Sequence, residues 1–437
     1  MFRLRKSVIY AAVFIAAAAA ITFGVIFVAK LNKELISEIP SPYYHDKTFR
    51  LNNWQYRWGD SPVEADGRFL WMDKSYDDGG WTDYEFPGRP ANSGRYRSIW
   101  IKAVLPVLDM DHATFGLRVT QNTVEVYLED RLIYSYGTHS ISETVRTPGS
   151  IWHFIDLPDD FAGKTVYIRA SSPFPHMTGY LTQAFVGHRA AIYIDIFKMN
   201  ISTLLIGSLC IFLGLAIIMI QVLSLYRRNS DIYLGLGSVF IGGWLLMECN
   251  LIQLFTPAPV SMTYAANFFV YLAPVFLLLF VERNYIVENT SYARLMRIQA
   301  MLHAIFAVAA FALDFLGLVS VLYSVRVFTF MFAATVLIGV YATVRSIIAG
   351  KKSARILIIG ILALGISGLM DTFLFFYNTS QQQKDNIVSE AGMLVFLTVL
   401  MINAALELKQ LYKQIEQQSK ETETNYKSLF SNMADGF

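Results

Sequence analysis

Seven long apolar stretches fill the second half of the chain, and each is close to the length of a membrane-spanning helix. A helix needs about 20 apolar residues to cross the hydrocarbon of a bilayer. The pattern therefore predicts a seven-helix transmembrane bundle over residues 198–408. Its spans are expected at 199–223, 232–255, 263–282, 298–317, 321–344, 355–377 and 387–408.

A further apolar run, from Ser7 to Ala29, carries no charge and predicts an N-terminal transmembrane anchor over residues 1–29. A cleaved secretory signal is the alternative, but its apolar core would be only about 7–15 residues long. Arg3, Arg5 and Lys6 precede the run, which favours a cytoplasmic N-terminus.

Between the anchor and the bundle the pattern changes to short alternating segments broken by Gly, Pro, Asn and Asp. Residues 123–128 place Val124, Val126 and Leu128 on one face, which is typical of a half-buried strand. Similar segments lie at 98–105, 114–119, 131–136, 151–157 and 164–169. The pattern predicts an all-β sandwich over residues 30–197.

Loop charges predict the orientation of the bundle. If the β domain lies outside, the cytoplasmic loops carry Arg227, Arg228, Arg283, Arg294, Arg297, Arg345, Lys351, Lys352 and Arg355. The outer loops then carry only Lys384. This asymmetry follows the positive-inside rule and also places the C-terminus in the cytoplasm.

The chain turns polar after Glu407. Leu408, Leu411 and Ile415 begin a seam with alternating spacings of three and four, which predicts a cytoplasmic coiled-coil helix over residues 409–425 and hence a homodimer. Because only half of the seam is apolar, a solvated helix that pairs with nothing is the alternative.

Composition narrows the classes of function. A hydrophobic content of 54% excludes an ordinary soluble protein, and a net charge of +2 gives no footprint for nucleic acid. Cys210 and Cys249 both lie in apolar runs, so they form neither a disulfide framework nor a metal set. The histidines lack compact ligand spacing, and no catalytic motif is present. We expect no metal, no cofactor and no enzymatic activity in this chain.

Five charged residues in the predicted spans share one depth, near the outer ends of their helices. They are Glu248, Asp314, Arg326, Asp371 and Glu390. Charges in membrane helices are candidates for function, so we expect a polar cup at the outer mouth of the bundle, with Arg326 neutralising carboxylates. The alternative is that each reaches interfacial water or headgroups by itself.

Six of the seven tryptophans lie in the β domain. Trp54, Trp58, Trp71 and Trp81 are the candidates for stacking on a ligand, and the first three lie in irregular sequence that favours exposure. Packing in the core is the competing interpretation.

The β domain resembles the jelly-roll sugar-binding domains of β-galactosidase-type hydrolases. The similar segments are Tyr76-Asp77-Asp78-Gly79-Gly80-Trp81, Glu85-Phe86-Pro87, residues 97–106 and the hairpin of residues 124–133. Glu129-Asp130 stands at the hairpin turn in place of the usual Asn-Gly. The resemblance implies a jelly-roll fold and suggests a carbohydrate ligand.

The order of the parts resembles the bacterial seven-transmembrane receptors with diverse intracellular signalling modules, as does the junction Gly187-His188-Arg189. Residues 426–437 are similar to the start of a PAS domain. The resemblance implies a multi-pass sensor in the bacterial cytoplasmic membrane, with a small-molecule or carbohydrate ligand outside and a PAS with a diguanylate cyclase or histidine kinase inside. A transporter or channel, or a membrane partner of a separate signalling protein, are the alternatives.

Overall fold

The computed structural model has a β domain followed by a helical region. It describes residues 47–51, 53–73, 75–76, 79–84, 86, 90, 95–137, 147–223, 231–256, 258–286, 290–350, 354–377, 390–396, 398–399 and 416–424. The predicted anchor, the seam residues Leu408, Leu411 and Ile415, and the PAS-like segment lie outside the described residues.

The β domain contains two antiparallel sheets. Its strands are β1 (Thr48–Arg50), β2 (Gln55–Trp58), β3 (Thr82–Asp83), β4 (Ser98–Val104), β5 (Thr114–Thr120), β6 (Thr123–Leu128), β7 (Arg131–Tyr136), β8 (Ser150–Asp156), β9 (Thr165–Ser171) and β10 (Leu181–Gly187). One sheet has the order β1-β10-β5-β8 and the other β3-β2-β4-β9-β6-β7.

The core of the β domain lies between the sheets and follows the alternation of the sequence. Val124 and Val126 are fully buried and Leu128 is nearly so, as the period-two pattern predicted. From the facing sheet, Phe115 and Leu117 enter the same core. Each sheet therefore keeps one face free for other contacts.

A single residue, His188, separates β10 from the helical region. Its helices are α1 (Arg189–Leu223), α2 (Asp231–Glu248), α3 (Asn250–Phe255), α4 (Pro259–Tyr285), α5 (Ser291–Phe315), α6 (Val321–Ile348) and α7 (Ala354–Tyr377). Among the described residues, four helical segments are long and apolar enough to cross a membrane: Arg189–Met219, Pro259–Tyr285, Ser291–Phe315 and Val321–Ile348. A count of seven spans stays a prediction.

One predicted span is wrong in its continuity. Residues 232–255 do not form a single helix, because the chain leaves helical geometry at Cys249, whose φ is −71° and ψ is 116°. The short helix α3 then turns against β8 of the β domain. This break brings polar residues of the helical region to the surface that faces the β domain.

Helices α1 and α2 cross at unusually short range because glycines face each other. A Cβ at Gly214 would lie 2.5 Å from the carbonyl oxygen of Gly235, and one at Gly242 would lie 2.6 Å from that of Gly207. Small residues allow helix backbones to approach closely in membranes. The helix that follows β10 is thus held firmly to its neighbour.

Candidate functional site

The outer face of the four-stranded sheet packs on the helical region; we name this surface the docking face. Trp152 and Phe185 lie on it and form one apolar cluster with Ile192 and Ile196 of α1 and Leu251 of α3. The rings of Trp152 and Phe185 are stacked, with centroids 6.0 Å apart. Buried aromatic surface of this kind stabilises the interface between the two parts.

Two loops of the β domain extend the docking face to other helices. Gly149 lies so close to the start of α4 that a Cβ there would be 2.7 Å from the Cβ of Pro259. Phe174 packs edge-on against Tyr323 near the start of α6, with ring centroids 5.5 Å apart. The β domain therefore contacts α1, α3, α4 and α6 at one end of the helical region.

A positive charge of the β domain meets a negative charge of the helical region at this interface. Arg118 of β5 is half-buried, and burial lowers the pKa of its guanidinium below the ordinary value. The nearby carboxylate of Glu248, the last residue of α2, partly offsets that shift by favouring the charged form. The two charges attract each other across the docking face.

Polar side chains surround the break between α2 and α3. The amide of Asn250 donates to Oδ1 of Asn200 in α1 at 2.9 Å. Glu390 accepts hydrogen bonds from Ser202 and Thr203, two further residues of α1. Hydrogen bonds of this kind satisfy polar groups where no bulk water is available.

The five charges expected in a polar cup have different surroundings. Glu248 and Glu390 both lie near the break at Cys249, since each interacts electrostatically with a group there or on the docking face. Asp314 accepts from the hydroxyl of Tyr264 at 2.6 Å and from the backbone N–H of Val321 at 3.0 Å, so it fixes the turn between α5 and α6.

The remaining two cup residues, Arg326 and Asp371, lie on α6 and α7. The side chain of Arg326 is exposed, and that of Asp371 lies outside the described residues. The cation beside Glu248 is Arg118, which belongs to the β domain. Sequence reasoning missed Arg118 because it occupies an ordinary outward position of a strand.

The outer face of the six-stranded sheet carries a second group of functional candidates, which we name the aromatic face. Its rings are those of Phe69, Trp71, Trp81, Trp100, Tyr127 and Tyr167. Arg57, Trp100, Arg169 and Glu125 lie directly opposite one another on β2, β4, β9 and β6. This surface therefore combines aromatic and charged groups.

Ion pairs organise the aromatic face. Nε of Arg169 donates to Oδ1 of Asp60 at 3.0 Å, and its Nη1 donates to Oε2 of Glu125 at 2.9 Å. Burial opposes the charge of Arg169, but these hydrogen bonds outweigh it and raise the pKa above the ordinary value. Nε1 of Trp100 also donates to Asp60, at 2.9 Å. Arg169 is thus fixed as a permanent cation.

Cations cover two of the indole rings on the aromatic face. The guanidinium of Arg57 lies 4.1 Å from the ring centroid of Trp71, and the ammonium of Lys102 lies 4.2 Å from that of Trp81. Such contacts contribute about 0.5–1 kcal/mol at exposed sites.

The expected exposure of Trp54 and Trp71 is wrong. Trp54 is 4% exposed and packs in the core with its N–H donated to the carbonyl of Leu51. Trp58 packs against the same core and stacks on Tyr96. Trp71 is 7% exposed because its irregular segment folds over Trp100 on the aromatic face.

The half-buried Trp81 also belongs to the aromatic face. The structure therefore brings Trp71 and Trp81 together, with ring centroids 6.4 Å apart, and places Trp54 and Trp58 elsewhere.

A polar group inside the helical region was also missed. His303 of α5 is fully buried, and its Nε2 lies 2.7 Å from the hydroxyl of Thr335 in α6. The amide of Gln299 donates to the same hydroxyl at 3.0 Å. The spacing of Gln299 and His303 by four residues places both on one helix face, a signal that the sequence contained.

The helical region has a recognisable family. Residues 198–406 match the family model described as 7TM diverse intracellular signalling. The helical region is therefore similar to this family. The similarity and the four apolar helices indicate a membrane protein and suggest one of the sensory receptor class. No curated protein and no solved structure gives a significant match to the chain.

Proposed function

We propose that this chain is the sensor part of a bacterial membrane receptor, which passes an extracytoplasmic signal through the 7TM helices to a cytoplasmic output. The observation that carries the proposal is the docking face, where one sheet and two loops of the β domain contact four helices. A domain seated in this way biases the helices whenever its position changes.

The orientation of the charged ends supports an extracytoplasmic β domain. The β domain contacts the starts of α4 and α6, at Pro259 and Tyr323. Arg283, Arg297 and Arg345 lie near the opposite ends of the helices. Because basic residues favour the cytoplasmic side, the docking face belongs to the outer side.

The aromatic face is the proposed binding site for the extracytoplasmic ligand, and a carbohydrate is the favoured class of ligand. Sugars bind through stacking of their apolar ring faces on aromatic side chains and through hydrogen bonds from hydroxyls to charged groups. Glu125 and Arg169 lie opposite each other on the adjacent strands β6 and β9, and Trp81 belongs to the same face, so both kinds of group are present. Lys102 must leave the ring of Trp81 for a sugar to stack there.

Relay through the β domain then follows from its architecture. The aromatic face and the docking face are opposite surfaces of one close-packed sandwich, so the domain responds to a ligand as a unit. A ligand shifts the receptor only by its difference in affinity between two positions of that domain. The helices α1 and α3 receive the shift directly.

We further propose that the signal leaves through a module in cis or in trans, with a PAS domain and a diguanylate cyclase or histidine kinase as the expected output. A homodimer is proposed because paired outputs of this type need two copies. The chain itself is proposed to carry no catalytic function.

Hydrogen exchange of the full chain in lipid nanodiscs, with and without a panel of oligosaccharides, tests the proposal. We expect one class of sugar to protect β2, β4 and β9 and also to change exchange in α3 and the first turns of α1. Trp81→Ala and Glu125→Gln should abolish both effects, whereas the core variant Trp54→Phe should retain them. Binding that leaves α1 and α3 unchanged would refute the relay, and no response to any sugar would refute the carbohydrate assignment.

A further inference from the structure

Several polar atoms are buried at the docking face without a hydrogen-bond partner among the described residues. They are Nε of Arg118, Nε1 of Trp152, Oε1 of Gln183 and Oδ1 of Asn250. The side chains of Trp152 and Asn250 are only 4% and 9% exposed. Native proteins satisfy most buried polar atoms, so a cluster of this size calls for a bound group.

These atoms belong to one small region. Gln183, Arg118 and Trp152 lie directly opposite one another on β10, β5 and β8. Adjacent strands are separated by about 4.8 Å, so the three side chains form a short row. Gln183 contacts Met199 of α1 through a long hydrogen bond of 3.6 Å to the sulfur, which shows that the row faces the helices.

The helical side of this region supplies the complementary groups. Glu248 acts on the charge of Arg118, and Asn250 follows Glu248 across the break in the helix. Trp152 shares an apolar cluster with Cys249, the residue between them. Donors on the sheet therefore face a carboxylate and a carbonyl oxygen on the helices.

We propose that this interface binds a small zwitterion with a carboxylate and an ammonium group, such as an α-amino acid. The carboxylate accepts from Nε of Arg118 and Nε1 of Trp152. The ammonium donates to the side-chain carbonyl oxygens of Gln183 and Asn250 and to the carboxylate of Glu248. Both sets of unpartnered atoms are satisfied at once.

Ligands with a single charge fit the same groups less well. An anion alone adds a second negative charge beside Glu248 and leaves the acceptor oxygens without donors. A cation alone leaves the donors of Arg118 and Trp152 without acceptors. Because unpaired buried groups reduce affinity, the interface discriminates in favour of the zwitterion.

This site is distinct from the aromatic face and does not depend on a sugar or on any output. A zwitterion bound here contacts both the sheet and the helices, so it stabilises the docked arrangement by mass action. Its binding can be measured on the full chain without a signalling assay, which separates its failure from failure of the proposed function.

The test is calorimetric titration of the full chain in nanodiscs with each standard amino acid, with acetate and methylammonium as single-charge comparisons. We expect at least one amino acid to bind, and acetate and methylammonium to bind about 10-fold more weakly or worse. Trp152 lies in the site and gives an independent fluorescence signal. Failure of every amino acid to bind would show that the interface holds water only and would overturn the proposal.

Variants locate the binding. Arg118→Gln and Gln183→Leu should each weaken binding of the amino acid by about 10- to 100-fold. The second variant keeps the charges of Arg118 and Glu248 in place if the first does not fold. Arg131→Gln removes an exposed charge from β7 in the other sheet and should leave affinity unchanged. Equal affinity in all three variants would place the amino acid elsewhere and overturn the assignment.

Discussion

Gly149 allows a direct test of whether the β domain is docked on the helices. This residue has a φ of +76°, and a Cβ added to it would lie 2.7 Å from the Cβ of Pro259 and 2.8 Å from its carbonyl carbon. Gly67 has a similar φ of +87°, but a Cβ there would meet nothing within 4 Å. Both glycines have a positive φ, but only Gly149 lies against α4.

The expected magnitudes follow from that difference. An L-residue in left-handed geometry costs about 1–2 kcal/mol, and this applies to Gly149→Ala and Gly67→Ala alike. Overpacking against the backbone of Pro259 adds about 1–3 kcal/mol in Gly149→Ala alone. The extra term acts on the docking face, so it favours separation of the sheet from the helices.

Hydrogen exchange in nanodiscs measures this separation. Gly149→Ala should raise exchange in β8 and α3 by about 5- to 150-fold relative to Gly67→Ala, the ratio that corresponds to that extra energy. The strands of the six-stranded sheet should exchange alike in both variants. If β8 and α3 exchange equally in the two variants, the β domain is not docked through Gly149 and the proposed relay is refuted.

Three further outcomes are expected. Burial lowers the pKa of His153 to about 3 from its ordinary 6.5, so only the unfolded chain binds this proton between those values. Its contribution to stability is complete above pH 6.5 and is lost as the pH falls, by at most about 1.4 kcal/mol per pH unit; denaturant unfolding across this range should show the slope, and His153→Gln should remove it. Arg297→Gln should destabilise by about 1–3 kcal/mol, because its Nε lies 3.0 Å from the buried carboxylate of Glu282; thermal unfolding in detergent should detect this, and adding Glu282→Gln should restore most of it. Gly214→Ala should destabilise the α1–α2 crossing, whereas Gly339→Ala, whose Cβ would have an ordinary contact at 3.6 Å, should be neutral or stabilising by up to about 1 kcal/mol; equal effects on thermal stability would contradict the close approach.

The strands of the β domain were predictable because each is marked by the alternation of its own apolar residues. In β6, alternate residues face the core, and the sequence states that alternation directly through Val124, Val126 and Leu128. The helical stretches were predictable for a similar reason, since a long apolar run has few other stable forms in lipid.

The break at Cys249 was not predictable from local pattern. Glu248 and Asn250 resemble isolated polar residues inside one apolar run. The break is stabilised by Asn200 from a different helix and by the packing of α3 on β8. Both partners are distant in sequence, so no window around Cys249 contains them.

In the candidate site, too, residue types were predictable from the sequence, whereas contacts between distant segments were not. Trp71 and Trp81 were identified by residue type, but the burial of Trp71 depends on a segment that folds back over Trp100. Arg118 was overlooked because an outward-facing arginine in a strand is ordinarily a solvated charge. Only the docking of the sheet on the helices turns it into a half-buried neighbour of Glu248.

The junction between β10 and α1 determines how the β domain of this chain can be exchanged for another. β10 ends at Gly187 and α1 begins at Arg189, so His188 alone separates a sheet strand from a helix of the 7TM region. No linker is available there to absorb a mismatch between a foreign domain and the bundle. A chimera that exchanges the β domain must therefore carry the first turns of α1 and the segment from 249 to 262 with it, because the β domain packs on them.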